Sequence, residues 1–252
     1  MADPTLTVAK DDRIAWITLN RPEKMNALNP QMLQEWHRAI LDTRDDDEVG
    51  VVVITGAGRA FCAGVDLTTV TDREGQGGAV GPDYDQPAHE LIQAMLDLPK
   101  VIIGMINGAC IAGGLELMLA FDLVVASDDA RFRDPHTNWG LRPSWGMSQR
   151  LPRIVGLMRA RELSFTARFF SAREALAMGL INRVVPQDQL RQQTIHMAKQ
   201  ILGNSLESVA AFKSLYNRGM ATTLAKGLEL EQETDFSITD TSDRLANFGE
   251  PS

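Results

Sequence analysis

The chain has 252 residues, 44% of them hydrophobic and 23% charged, an ordinary globular composition that excludes collagen, coiled coil and disorder. Folding a chain of this size leaves roughly 11,000 Å² exposed against about 40,000 Å² unfolded, so a core forms without a disulfide or metal staple. With 25 Lys and Arg against 33 Asp and Glu, the net charge is −8, which argues against nucleic acid or an anionic membrane surface as the main partner.

Residues 1–10 lack a basic patch followed by an apolar run, so no secretory signal is expected. Residues 14–19 read as a strand, followed by a turn at Asn20, Arg21 and Pro22. Asn29 and Pro30 open a helix with Met32, Leu33, Trp36 and Ile40 at helical spacing. Residues 51–55 are a continuous apolar run of the parallel-sheet kind. Residues 68–87, rich in Gly, Asp, Thr and Pro, read as a surface loop, and 89–98 as a helix stopped by Pro99. The apolar stretch 101–121 holds Asn107, Glu116 and several glycines. A carboxylate at mid-depth is expensive in lipid, so this stretch reads as strand, turn and helix rather than a membrane span. Residues 123–126 form another strand. Ser171 and Glu174 make a capping box, Gly179 ends that helix, and Pro186 opens one reaching Ile201. Two or three more helices fill 206–248. The pattern is one α/β domain with a helical C-terminal third.

Between Lys100 and Asp122 the only charged residue is Glu116. A carboxylate in such apolar company is either paired structurally, with an arginine for instance, or tuned for proton transfer. Gly113 and Gly114 before it serve a tight turn or free the backbone to aim N–H groups at an oxyanion. Asp134 and His136, two apart, share a face if the backbone is extended, as an acid/base pair or as a salt-bridged staple. The glycine segment 56–67 follows a strand, but Phe61 takes the third glycine position of a dinucleotide fingerprint and no helix begins there. Neither a P-loop, an HExxH, a GxSxG nor a metal-like His/Cys cluster is present, so no metal is expected. His37 and His196 read as surface or packing residues, and His89 is uninformative. Cys62 and Cys110 fit no disulfide framework or CxxC site and point to a reducing, cytoplasmic location.

Taken in order, residues 20–28 (NRPEKMNAL), 59–67 (RAFCAGVDL), 106–117 (INGACIAGGLEL), 148–156 (SQRLPRIVG) and 175–185 (ALAMGLINRVV) resemble the crotonase superfamily, whose best-known members are enoyl-CoA hydratases. The resemblance covers nearly the whole chain. It implies a spiral of ββα units, with residues 1–190 as α/β core and 191–252 as C-terminal helices that mediate a homotrimer or a hexamer of paired trimers. It also implies an acyl-CoA substrate and no separate cofactor. By position, the amides of Val65 and Gly113 would form an oxyanion hole. Met25, Ala27, Ala63, Asp66, Leu67 and Gly114 would hold the CoA moiety and substrate, and Lys213 would approach the CoA phosphates.

Glu116 stands where the resemblance puts the first catalytic glutamate of a hydratase. Where the second is expected, after Pro135, the chain carries His136, with Asp134 as the other candidate acid/base. Trp139 and Trp145 add bulk there, as pocket walls or as core. Hydration of a 2-enoyl-CoA is the expected reaction. The alternatives are a hydrolase of the same fold that cleaves a β-diketone or thioester bond with His136, and a non-catalytic acyl-CoA binder. In such hydrolases an aspartate follows the histidine by nine residues, a position occupied by Trp145, so Asp134 would have to orient the imidazole. An isomerase is disfavoured, because the family's single-carboxylate isomerases keep their carboxylate at the position of His136.

Overall fold

The structure is a computed structural model that describes residues 4–70, 77–246 and 248. Its strands are β1 (Leu6–Asp11), β2 (Ile14–Leu19), β3 (Val51–Gly56), β4 (Ala60–Cys62), β5 (Val101–Ile106), β6 (Ala109–Ile111), β7 (Leu123–Ser127), β8 (Arg131–Arg133), β9 (Phe170–Ser171) and β10 (Arg183–Val185). They form a six-stranded sheet in the order β1-β2-β3-β5-β7-β10 and a four-stranded sheet in the order β4-β6-β8-β9. Among the described strands only the β1–β2 and β8–β9 pairs are antiparallel.

Alternation explains why the inner strands are apolar throughout. Successive side chains point to opposite faces, and both faces of the large sheet are covered. Val52 and Ile54 of β3 join one core with Ile17 and Ile102, while Val51 and Val53 join a second core with Trp16 and Ile103. The first core is closed by α1 (Pro30–Arg44) and α2 (Pro82–Asp97). The helix of α1 starts as its sequence dictates, with Asn29 capping the amide of Met32 and Pro30 at the first position.

Three times the chain passes from the large sheet to the small one, from β3 to β4, β5 to β6 and β7 to β8. These crossings build the ββα spiral. The small strands β4, β6 and β8 run parallel, so their C-terminal ends lie at one edge. After β6 comes α3 (Gly113–Met118), and beyond β8 lie α4 (Met147–Val155) and α5 (Leu157–Thr166).

The remaining helices are α6 (Ala172–Ala177), α7 (Leu190–Leu202), α8 (Leu206–Gly219), α9 (Leu224–Glu233) and α10 (Thr241–Ala246). The expected capping box is present at α6. Met197 and Ala198 of α7 belong to the second core. Neither α9 nor α10 buries a residue. The surface loop expected over 68–87 is shorter than composition suggested, because α2 begins at Pro82. Residues 71–76 of that segment lie outside the described residues. No helix of the described residues is long and apolar enough to cross a membrane.

Lys213 corrects one expectation. Its ammonium lies buried under the sheet, donating to Asp122 Oδ2 (2.8 Å) and to the carbonyls of Lys100 (3.0 Å) and Met95 (3.1 Å). All three of its protons are committed there, far in role from a ligand phosphate. The reason is topological: α8 packs where β5 and β7 begin, and the same Asp122 Oδ2 also accepts from Ile102 N (2.7 Å). Removing one partner of a buried ion pair strands the other, at a cost of about 3–5 kcal/mol. Lys213→Ala should therefore lose about that much stability in urea denaturation while ligand affinity of the folded fraction stays unchanged. A stable variant with weakened CoA binding would restore the phosphate role.

Candidate active site

At the shared edge of β4, β6 and β8 lies a cavity of about 260 Å³ with a largely apolar lining. The segment after β4 supplies Ala63, Val65 and Leu67, the segment after β6 supplies Ala112, Gly113 and Glu116, and the segment after β8 supplies Pro135, His136 and Trp139. Met25 contributes from the opening turn. That turn is latched in place: buried Asn26 donates to Ala57 O (2.9 Å) and Ala60 O (2.8 Å), and Arg21 pairs with Asp66 (3.0 Å).

Two main-chain amides on this wall have no partner among the described residues. Leu28 forms a parallel bridge with Val65 in which Leu28 N donates to Gly64 O and Leu28 O accepts from Asp66 N (both 2.8 Å). The amide of Val65 lies between these bonds and makes none among the described residues. Gly113 is the first residue of α3, so its N–H has no acceptor within the helix, and none elsewhere among the described residues. The two segments approach closely: Gly64 has φ +90°, and a Cβ there would lie 3.3 Å from Gly113 N. Ala112, which aims Gly113, is held at φ 49°, ψ −120°, a conformation that costs a non-glycine residue of order 1–3 kcal/mol.

Glu116 is 2% exposed. Its Oε1 accepts from Trp145 N (3.0 Å) and Met147 N (3.3 Å) at the start of α4, where helix amides favour a negative charge. Its Oε2 lies 3.4 Å from His136 Nε2. No arginine pairs with it among the described residues, so the structural carboxylate–arginine alternative falls. Trp145 is itself fixed, its indole donating to Asp85 of α2 (2.8 Å) and its ring filling the space beside Gly113, where a Cβ would sit 2.5 Å away.

Asp134 and His136 do come together, but by a turn and not by extended pleating. Pro135 (φ −94°, ψ 11°) bends the chain into a 3-10 turn over His136–Trp139. Asp134 Oδ1 thereby accepts from His136 Nδ1 (2.5 Å) and approaches His136 N (3.4 Å), while Oδ2 accepts from Ser164 Oγ (2.6 Å). Burial works against a charged imidazole, but the bonds and charges of Asp134 and Glu116 outweigh it and raise the His136 pKa to about 9. Burial likewise pushes Asp134 up, and the His136 and Ser164 hydrogen bonds overcome this to hold it below the usual carboxylate range.

Of the remaining expected residues, Met25, Ala63 and Leu67 reach the cavity, whereas Ala27, Asp66 and Gly114 do not line it. Ala27 O accepts from Arg21 (2.5 Å), Asp66 is bonded to Arg21 and Thr68, and Gly114 packs on Cys62, where a Cβ would fall 2.7 Å from its neighbour. Trp139 stands at the mouth, 65% exposed, and Trp145 forms the inner wall. Asp85, Ser164 and His89, which bonds Ser144 O (2.7 Å), support the site without any local sequence signal. No group of three or more His, Cys, Asp or Glu among the described residues is placed to hold a metal ion.

The family model for enoyl-CoA hydratase/isomerase matches residues 9–248, and the chain belongs to that family, the crotonase superfamily. It is 40% identical over 220 residues to the probable peroxisomal enoyl-CoA hydratase 1 of Arabidopsis thaliana, covering 87% of this chain and 81% of that protein. It is 34% identical over 243 residues to the short-chain-enoyl-CoA hydratase of Clostridium acetobutylicum, covering 95% and 92%. Among solved structures, the enoyl-CoA hydratase from Bacillus anthracis superposes with a TM-score of 0.88 at 31% identity, covering 97% of this chain and 95% of that one. The one from Mycobacterium tuberculosis gives a TM-score of 0.75 at 39% identity, covering 90% and 95%.

An imidazole that titrates near 6.5 unperturbed and at about 9 in the fold binds its proton more tightly when folded. Its stabilisation is complete below pH ~6.5, amounts to roughly 3 kcal/mol, and is lost as the pH rises toward about 9. The stability gap between wild type and His136→Gln in urea denaturation should therefore narrow from pH 6 to pH 10. A gap that stays constant over that range would show that His136 is not held as an imidazolium.

Proposed function

We propose that the protein adds water across the 2,3 double bond of an enoyl-CoA thioester. The observation that carries this reading is the pairing of Glu116 and His136 at 3.4 Å on the wall of an apolar cavity, beside two amides that have no partner among the described residues. The carbonyl oxygen of the thioester sits between the amides of Val65 and Gly113, where enolate charge develops. Preorganised donors of this kind contribute about 10²–10³ each to rate. Main-chain groups near Met25, Ala63 and Leu67 hold the CoA arm, with Ala27, Asp66 and Gly114 supporting them from behind.

Glu116 has one oxygen fixed by amides and the other turned toward His136 and the cavity, so Oε2 takes a proton from water as the water oxygen bonds to C3. The alkene electron pair moves into the enolate. His136, an imidazolium through the neutral range, gives its Nε2 proton to C2 as the enolate collapses. Glu116 is then protonated and His136 neutral, and a proton passing from Oε2 to Nε2 restores both. No cofactor is required besides the thioester itself.

One observation favours a second reading. Asp134 orients the imidazole through Nδ1, as a hydrolase of this fold requires of its general base. A general base must be neutral, however, and two flanking carboxylates keep this imidazole charged until about pH 9. Acid chemistry at His136, and hence hydration, fits that charge better. Exposed Phe212, Tyr216, Leu224 and Leu228 on α8 and α9 support assembly into a homotrimer or a hexamer. Free, buried Cys62 and Cys110 support a cytoplasmic location.

Incubation with a panel of 2-enoyl-CoA, β-keto and β-diketo acyl compounds, read by product mass, should show a gain of one water on the enoyl substrates. Cleaved products would install the hydrolase, and no product would leave an acyl-CoA binder. Glu116→Gln and His136→Ala should each lower kcat by about 10²-fold or more with the fold retained. Wild-type activity should fall as the pH rises through about 9. Near-normal turnover in Glu116→Gln would remove this carboxylate from the mechanism.

A further inference from the structure

Behind the segment that carries His136, the C-terminal half of α5 is tied to the chain by three hydrogen bonds. Arg133 Nε donates to Ala167 O (2.6 Å), Thr137 Oγ1 donates to Ser164 O (2.9 Å), and Ser164 Oγ donates to Asp134 Oδ2 (2.6 Å). The first two involve main-chain acceptors and fix the path of the loop. The third ends on a carboxylate whose other oxygen holds His136 Nδ1 (2.5 Å). Ser164, Asp134, His136 and Glu116 thus form one continuous chain of polar contacts running from α5 to the first cavity.

Packing alone does not fix that chain. A second cavity, of about 290 Å³, opens behind it and is lined by Asp134, His136 and Ser164 together with Leu151, Ala160 and Phe165. The Asp134 carboxylate is itself buried, but it borders the cavity on that side, and the partner of its Oδ2 is Ser164 Oγ. A hydrogen bond from a neighbouring hydroxyl supplies the missing restraint, and such bonds to charged acceptors are the stronger kind. Without it Oδ2 has no donor among the described residues, and a shift of the carboxylate toward the cavity would carry the imidazole out of its alignment with Glu116.

We propose that Ser164 is a positioning residue for the acid/base pair, holding Asp134 so that His136 presents Nε2 to Glu116. It touches neither the first cavity nor the reacting atoms. Its kinetic effect rests on the hydration reading above, whereas its effect on the imidazole does not.

Ser164→Ala should lower kcat about tenfold, as expected for loss of a hydrogen bond to a charged group, with KM unchanged and Tm lowered by a few degrees. Ser164→Thr, which keeps the hydroxyl and has room for its methyl in the second cavity, should restore most of the activity. On the His136→Ala background the same Ser164→Ala change should have less than about a twofold effect, because residues acting through one another are not additive. Independently of turnover, the proton on His136 Nδ1 should give a far-downfield NMR signal, absent in His136→Ala and moved upfield in Ser164→Ala. A hydrating wild type whose kcat and imidazole signal ignore Ser164→Ala sinks the positioning role. So does an equal loss on the His136→Ala background, which would mark a general structural effect. A wild type that hydrates nothing, yet whose imidazole signal moves in Ser164→Ala, sinks the hydration reading and leaves the positioning intact.

Discussion

The site depends on how one buried carboxylate is divided. Glu116 lies in an apolar crevice where an unsatisfied charge would be costly, and the protein satisfies only half of it with main-chain donors. Trp145 N and Met147 N take one oxygen, so the other faces His136 and the cavity. That division requires α4 to start within reach of α3. This in turn requires the Trp145 ring to stack beside a residue without a side chain, Gly113, and its indole to be anchored on Asp85. A carboxylate held by main-chain donors through both oxygens would have presented neither to the cavity.

The same scaffold explains why residues far apart in sequence converge. Three short parallel strands end at one edge, and each hands over to a segment with a single task. The one after β4 presents Val65, the one after β6 presents Gly113 and Glu116, and the one after β8 presents Asp134 and His136. Ligand sites at the C-terminal ends of parallel strands are a general property of α/β folds. Here the large sheet supplies rigidity through two cores, and the small sheet supplies placement. An imidazole set between two carboxylates then acquires a charge that a solitary histidine would not keep at neutral pH.

Much of the frame was legible from local pattern. Continuous apolar runs at 14–19, 51–55 and 101–106 belong to strands covered on both faces. Asn29 with Pro30, and Ser171 with Glu174, mark helix starts that the structure retains. The small sheet was not legible as a sheet, because β4, β6 and β8 have three residues each, too few to show a period of two. The first turns of α2 were hidden by a turn-like composition around Gly81 and Pro82. Lys213 misled because a cationic side chain in a helix carries no local mark that its partner is Asp122. Ser164 gave no signal for the same reason: a serine in a helix reads as surface until its neighbour across the fold is known.

The sequence by itself determined the α/β class, the family, and the candidacy of Glu116, Asp134 and His136, because a lone carboxylate in an apolar segment and an acid two residues from a histidine are visible without coordinates. Only the tertiary structure decided the roles among them. It turned Asp134 toward His136 Nδ1 through the bend at Pro135, turned one oxygen of Glu116 to His136 and the cavity, left the amides of Val65 and Gly113 without partners among the described residues, and drew Lys213 beneath the sheet. Apart from the local bend at Pro135, those outcomes depend on distances between segments twenty or more residues apart, and a distance of that kind is set by how sheets and helices pack, not by any local spacing along the chain.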